Sequence, residues 1–265
     1  MARRPGWLVW ALVWLAWQAA PGLRAAAPES AEALWQQGQD AMRRGCPRRA
    51  IACYQESLAR APSLTRNHLS LAAAYLALGD RERGQAHLAR YVAAHPGEID
   101  IRSDYAELLA LMHREQEARA EFEGCIAAAQ ELGPPAFSRL IRCHRRVMEI
   151  AEAQEDAYAE HLHRGIGLYL LARESAALKE AEAQLPSEGL FFKAAGELNL
   201  AREKRPDEAR PAWYLYAVWS SLDQHGPAVR CLRDAETAAP FSELTAWEQR
   251  GLQMAAPGRP PCAVK

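Results

Sequence analysis

The sequence predicts an all-α chain, a solenoid of antiparallel helix pairs, and three observations carry that prediction. Small and aromatic residues recur at a fixed interval: Leu34, Gly38, Ala50, Tyr54 and Pro62 are followed 34 residues later by His68, Ala72, Gly84, Leu88 and Pro96. Two short amphipathic helices fill such a period, and one pair cannot bury its apolar face alone, so pairs stack. The helix formers Ala, Leu, Arg and Glu dominate the composition. No segment rich in Val, Ile and Thr alternates with period two, which argues against a sheet.

The first helix is predicted over residues 31–44, where Leu34, Trp35, Gly38, Ala41 and Met42 recur at helical spacing. Gly45-Cys46-Pro47 breaks it, and Pro47 suits the first turn of the next helix. Ala50, Ile51, Tyr54 and Leu58 form the apolar stripe of that second helix, which Pro62 ends. The second pair repeats the plan: Leu71, Tyr75 and Leu78, the turn Gly79-Asp80, then Ala86, Leu88, Tyr91 and Val92 before Pro96. A third pair starts near Asp100, with Ala106, Leu109, Ala118 and Phe122 in register. There the turn around His113-Arg114-Glu115 is less marked and Gln130 stands in the place of the closing proline.

From Gly133 to Arg210 the pattern stays helical but leaves the register. Gly133-Pro134-Pro135 separates it from what precedes, and Phe137, Leu140, Ile141, Val147 and Ile150 mark one helix. The stretch from Asp156 to Leu185, with Gly165 and Gly167, reads equally as one kinked helix or two. Pro186-Ser187-Glu188 resembles a helix start, with Leu190, Phe191, Leu198 and Leu200 following. Pro206 and Pro211 bracket the next one. The resulting division is residues 31–130 for three repeats and 134–210 for degenerate helical repeats. Residues 211–254 form a further repeat with a capping helix, and 255–265 a disordered tail.

The chain is 265 residues long, 49% apolar and 25% charged, an ordinary globular composition. A net charge of -1 gives wholesale nucleic-acid binding no electrostatic support. Residues 1–25 read as a signal peptide: Arg3 and Arg4, an uncharged run from Trp7 to Trp17, then Leu23 and Ala25 at a small-residue cleavage position. That run is short of the roughly 20 residues that span a bilayer, so the mature chain is expected in the periplasm or outside the cell. A membrane tether through an uncleaved signal is the alternative.

Export makes the six cysteines candidates for pairing. Cys46 and Cys53, seven residues apart in and before a helix, rise too far for a direct bridge. Cys125 and Cys143 lie on successive helices where a bond is possible, and Cys231 meets Cys262 only if the tail folds back. Buried free thiols are the blander explanation for most of them. No cysteine or histidine spacing suits zinc.

With these residues in view, the chain resembles the tetratricopeptide repeat family. That family has a large residue at position 4, a small one at 8, a large one at 11, Ala at 20, an aromatic at 24 and Pro at 32. The first unit supplies Leu34, Gly38, Ala41, Ala50, Tyr54 and Pro62, and the second His68, Ala72, Tyr75, Gly84, Leu88 and Pro96. Arg102, Ala106, Leu109, Ala118, Phe122 and Gln130 form the third. A later unit reads Ala212, Tyr216, Trp219, Ala228, Leu232 and Pro240, with Tyr216 where a small residue is expected. The resemblance covers about half of the chain and implies a right-handed α-solenoid that binds peptides along the concave face of its first helices.

In that family positions 2, 5, 9, 12 and 13 face the groove. Here they are Glu32, Trp35, Gln39, Met42 and Arg43, then Arg66, Leu69, Ala73, Leu76 and Ala77. Some members clamp a partner's C-terminal carboxylate with Lys and Asn at positions 5 and 9. Trp35 and Gln39, then Leu69 and Ala73, depart from that clamp and suit an amphipathic helix or an extended apolar segment. Trp35 serves equally well as a cap on the exposed end. Arg139, Arg142 and Arg146 fall on one helical face and could receive an acidic peptide, or form a solvated face balanced by Glu149.

No motif points to catalysis, a cofactor or a metal. Glu160, His161 and His163 are too close along a helix to share an ion easily, and Glu160 suits an i,i+4 pair with Arg164. Gly165-Ile166-Gly167 follows no strand and is no phosphate loop, and no serine sits in a nucleophile elbow. The expectation is a non-catalytic, exported adaptor or scaffold for a protein or peptide partner. A self-associating structural repeat protein is the alternative, and an enzyme with a site near Glu160 and His161 stands behind both.

Overall fold

A computed structural model describes residues 29–132, 137–179 and 187–255. Among these residues every regular element is helical. The predicted signal segment, the Gly133-Pro134-Pro135 break, Pro186, Cys262 and nearly all of the predicted tail lie outside them. No helix among the described residues is long and apolar enough to cross a membrane.

The chain divides into two compact units between His87 and Leu88. The first holds α1 (Ala31–Arg43), α2 (Pro47–Arg60), α3 (Arg66–Ala77) and the start of α4 (Arg81–Ala94). Ser30 caps α1, its hydroxyl accepting from the Ala33 N–H. Pro47 opens α2, where its missing N–H costs no helix bond. Gly38 lies so near α2 that a Cβ there would stand 2.3 Å from Cε1 of Tyr54, a ring only 1% exposed. Gly84 does the same between α4 and α3, where a Cβ would meet Leu76 at 2.8 Å. Small residues at these two positions are what let the helices approach. Buried Ser57 joins three helices: its hydroxyl donates to the Ala31 carbonyl at 2.6 Å and accepts from Asn67 Nδ2 at 3.1 Å.

The second unit continues with α5 (Ile99–Leu111), α6 (Glu115–Leu132), α7 (Phe137–Ala153) and α8 (Ala157–Lys179). It ends with α9 (Ser187–Lys204), α10 (Ala209–Ser221), α11 (His225–Ala238) and α12 (Ala246–Ala255). Successive helices pack on one another, and their seams bury Phe122, Val147, Leu162, Leu198, Leu215 and Val218. Over its described length α8 is one helix, which answers the question left open by Gly165 and Gly167. Gly165 is there for packing: a Cβ would stand 2.7 Å from Leu198 of α9. The last helix does not simply follow α11. It returns to α6, where Thr245 donates to Gln130 Oε1 at 2.7 Å and Arg250 pairs with Glu131. Gln130, in the register place of a closing proline, donates its amide to the Tyr214 hydroxyl at 3.1 Å and so links α6 to α10 as well.

The turn inside each helix pair has a common form. Residues Gly45, Gly79, His113, Glu155 and Asp223 all take positive φ, between 56° and 79°. The next residue's N–H returns to the carbonyl of Ala41, Tyr75, Leu109, Ala151 or Trp219 respectively. This left-handed cap favours glycine, yet only the first two are glycine. The weak turn expected at His113 is therefore a full turn in backbone terms. From His113 to Glu155 the interval is 42 residues rather than 34, and from Glu155 to Asp223 it is 68, twice the repeat. Eight additional residues in the middle explain why the sequence register is lost there.

Candidate functional site

The best-formed polar surface among the predicted binding residues lies between α1 and α3 of the first unit. On α1, Glu32, Trp35 and Gln39 are three and four residues apart and share a face. On α3, Arg66 and Ser70 sit one turn apart. Ser70 Oγ accepts from Trp35 Nε1 at 3.0 Å and from Gln39 Nε2 at 3.4 Å. The Arg66 guanidinium lies 4.3 Å from the centre of the Trp35 ring, a cation–π distance, and pairs with Glu32. The Arg66 side chain remains 40% exposed, while its Nε–H is buried without an acceptor. The result is an amphipathic ledge, with an indole face, an arginine and an amide held in fixed positions.

Of the predicted residues, the structure thus brings together Trp35, Gln39 and Arg66. Met42 instead packs against the core formed by Ala41, Ala50, Tyr54 and Leu71, as does the inner edge of Trp35. Arg43 pairs with Asp40 on its own helix. Leu69 is half-buried and Ala73 exposed on α3. Ser70 is not legible in the sequence as part of this face. Its role depends on an indole 35 residues away, and a serine inside a helix carries no local sign of that.

In the second unit the arginine stripe is largely matched by acids of α5. Arg139 binds Asp100 through two bonds of 2.6 and 2.8 Å, and that pairing lowers the Asp100 carboxyl below its usual range. Arg146 Nε lies 2.9 Å from Glu107, and the same guanidinium reaches Glu149. Arg142 stays exposed between them. Helix pairing therefore uses two of the three charges proposed for an acidic peptide.

The other candidates also find partners. Glu160 pairs with Arg164 at 2.7 Å, and His161 Nδ1 lies 2.7 Å from Glu197 of α9. His163 turns the other way and joins His144 of α7, Nδ1 to Nδ1, at 2.9 Å. Burial drives the His144 pKa down to about 3 and takes His163 well below its ordinary value, so both rings are neutral near pH 7. No group of three or more metal-binding side chains occurs among the described residues. Cys125 and Cys143 are buried, free thiols, the Cys125 thiol donating to the Ile99 carbonyl at 3.8 Å, and Cys46, Cys53 and Cys231 are free as well.

No family model and no curated protein matches the chain. Among solved structures it is similar to a MamA RS-1 double mutant at 15% identity, over 82% of this chain and 98% of that one, with a TM-score of 0.41. It is similar to the Sgt2 TPR domain of Aspergillus fumigatus at 25% identity, over 51% and 87% of the two chains, with a TM-score of 0.38. PilW, a type IV pilus biogenesis factor, aligns at 17% identity over 85% of this chain and 100% of its own, also with a TM-score of 0.38. With scores this low, the tetratricopeptide-like build rests on the chain's own helix pairs, their common turn and the close approach at Gly38 and Gly84.

Proposed function

We propose that this chain is a non-catalytic adaptor that holds a protein or peptide partner on the α1–α3 face of its first unit. The observation that carries the reading is the Arg66–Trp35–Ser70–Gln39 ledge. Its indole and guanidinium are pre-positioned, so a partner need not freeze them on binding. Tryptophan and arginine are the side chains that most often dominate binding energy. An apolar ring beside an arginine whose side chain stays 40% exposed suits an amphipathic helix or extended apolar segment that also carries a carboxylate or carbonyl. Export through the N-terminal segment belongs to the same proposal, and its support is the order of charge, apolar run and small residues in 1–25.

The test is recovery of a partner by crosslinking and pull-down with residues 26–265, compared with Trp35→Ala and Arg66→Ala. Truncating a binding anchor costs about 2 kcal/mol or more, so each variant is expected to bind at least about tenfold more weakly with unchanged helix content. Equal recovery by both variants would exclude the ledge as the site. If Trp35→Ala instead unfolds the first unit, Trp35 is a core or cap residue. Sequencing the mature N-terminus by mass spectrometry tests export, and an intact Met1 counts against cleavage.

A further inference from the structure

One buried contact recurs in both units with different side chains. In the first unit, Ser57 of α2 donates to the carbonyl of Ala31, the first residue of α1, and accepts from Asn67 of α3 at 3.1 Å. In the second unit, Cys125 of α6 donates to the carbonyl of Ile99, the first residue of α5, at 3.8 Å. Ser57 and Cys125 each stand twelve residues after a left-handed turn residue, Gly45 or His113. Asn67 and Cys143 each stand twelve residues before one, Gly79 or Glu155. Cys125 and Cys143 therefore hold the places where, in the first unit, a serine oxygen meets an asparagine nitrogen.

Both thiols are shut inside the seam between α6 and α7, at 0% and 1% exposure. Each is the first influence on the other's ionisation: Cys143, ahead of burial, pushes the Cys125 thiol up, and Cys125 holds the Cys143 thiol down. The chain between them is the part that departs from the repeat. Ser57 and Asn67 are ten residues apart, Cys125 and Cys143 eighteen, so the eight additional residues of the middle fall between the two cysteines. A longer connection is costlier to close, and a covalent bond across it restricts the unfolded chain.

We propose that Cys125 and Cys143 are a disulfide site that fastens α6 to α7 across the lengthened connection. One thiolate attacks a sulfur of a donor disulfide, giving a mixed disulfide and one donor thiol. The second thiolate then displaces the remaining donor thiol and closes the S–S bond. The pair loses two protons and two electrons, and the donor disulfide takes them up as two thiols. Neither sulfur is accessible once the seam has closed, so exchange takes place while α6 and α7 are still apart. The finished bond is then screened from reductants. The site is separate from the α1–α3 ledge. Export to an oxidising compartment is one source of donor disulfides, and a glutathione buffer supplies one directly, so the adaptor and export readings can fail without it.

The experiment unfolds and reduces the full chain, refolds it in reduced and oxidised glutathione, alkylates it and maps its peptides by mass spectrometry. A peptide linking Cys125 to Cys143 is expected in most of the refolded chain, with Cys46 and Cys53 alkylated. Thermal unfolding of this chain is expected about 5 °C or more above that of the chain refolded with reductant. A Cys125→Ser, Cys143→Ser variant is expected to match the reduced chain and to ignore the redox buffer. Its new hydroxyl at 125 can donate to Ile99 as Ser57 does to Ala31, which preserves the fold. Chain secreted into a bacterial periplasm gives the same map without a refolding step. Recovery of both cysteines as alkylated thiols in helical chain, or of either one bonded to a different cysteine, would overturn the proposal. So would a linked peptide whose reduction leaves the unfolding temperature unchanged.

Discussion

Replacing Gly38 by alanine is the smallest change that tests how closely α1 and α2 approach. The added methyl group would lie 2.3 Å from Cε1, 2.6 Å from Cδ1 and 2.8 Å from Cζ of Tyr54. Carbon atoms pack best at about 3.5–4.0 Å, so the ring or the helix must recede by about an ångström. Tyr54 has little room to do so, being 1% exposed and packed among Ala41, Ala50 and Leu71. Overpacking of this kind costs about 1–3 kcal/mol, and the short contact places it toward the upper end. Alanine's better helix propensity returns about 1 kcal/mol. The net expectation is a loss of about 2 kcal/mol. Gly196 is the matched control: it lies in α9 with nothing within 4 Å of an added Cβ, so Gly196→Ala keeps only the propensity gain of about 0.5–1 kcal/mol. Urea unfolding followed by circular dichroism and tryptophan fluorescence should move the two variants in opposite directions. If Gly38→Ala is stabilised as much as Gly196→Ala, the close helix contact that defines the first pair is wrong.

Three further outcomes follow from the same geometry. Glu155→Gly and Asp223→Gly, at φ 56° each, should each stabilise by up to about 1 kcal/mol, because relief of about 1–2 kcal/mol of left-handed strain outweighs glycine's entropy; a lower unfolding midpoint for both would contradict the shared turn. Burial lowers the pKa of His144 and His163 in the folded state, so the unfolded chain binds more protons below its ordinary histidine pKa. Stability is then complete above about pH 6.5 and lost as pH falls toward 3, at up to about 1.4 kcal/mol per unit for each ring; a His144→Gln, His163→Gln variant should lose that slope between pH 6.5 and 5. Glu248 is 2% exposed and paired with Arg210 at 3.0 Å, so Glu248→Ala should cost about 3 kcal/mol and loosen α12 first, read as faster amide exchange over 246–255.

Helix periodicity and the 34-residue interval were local properties, and the sequence therefore determined the helix pairs, their small contact residues Gly38, Gly84 and Ala118, and the turns at Gly45 and Gly79. It also put Trp35, Gln39 and Arg66 on the same face, because helical spacing and one repeat offset suffice for that. The turns at Glu155 and Asp223 are not legible in the sequence, because their left-handed conformation falls on residues that do not favour it. Only the tertiary structure decided which side chains meet across helices: Ser70 under Trp35, the α5 acids against Arg139 and Arg146, His144 beside His163, and Gln130 holding Thr245 from 115 residues away. Such contacts depend on the rotation and separation of whole helices. Those are set by the summed packing of many side chains, and no single stretch of the chain records them.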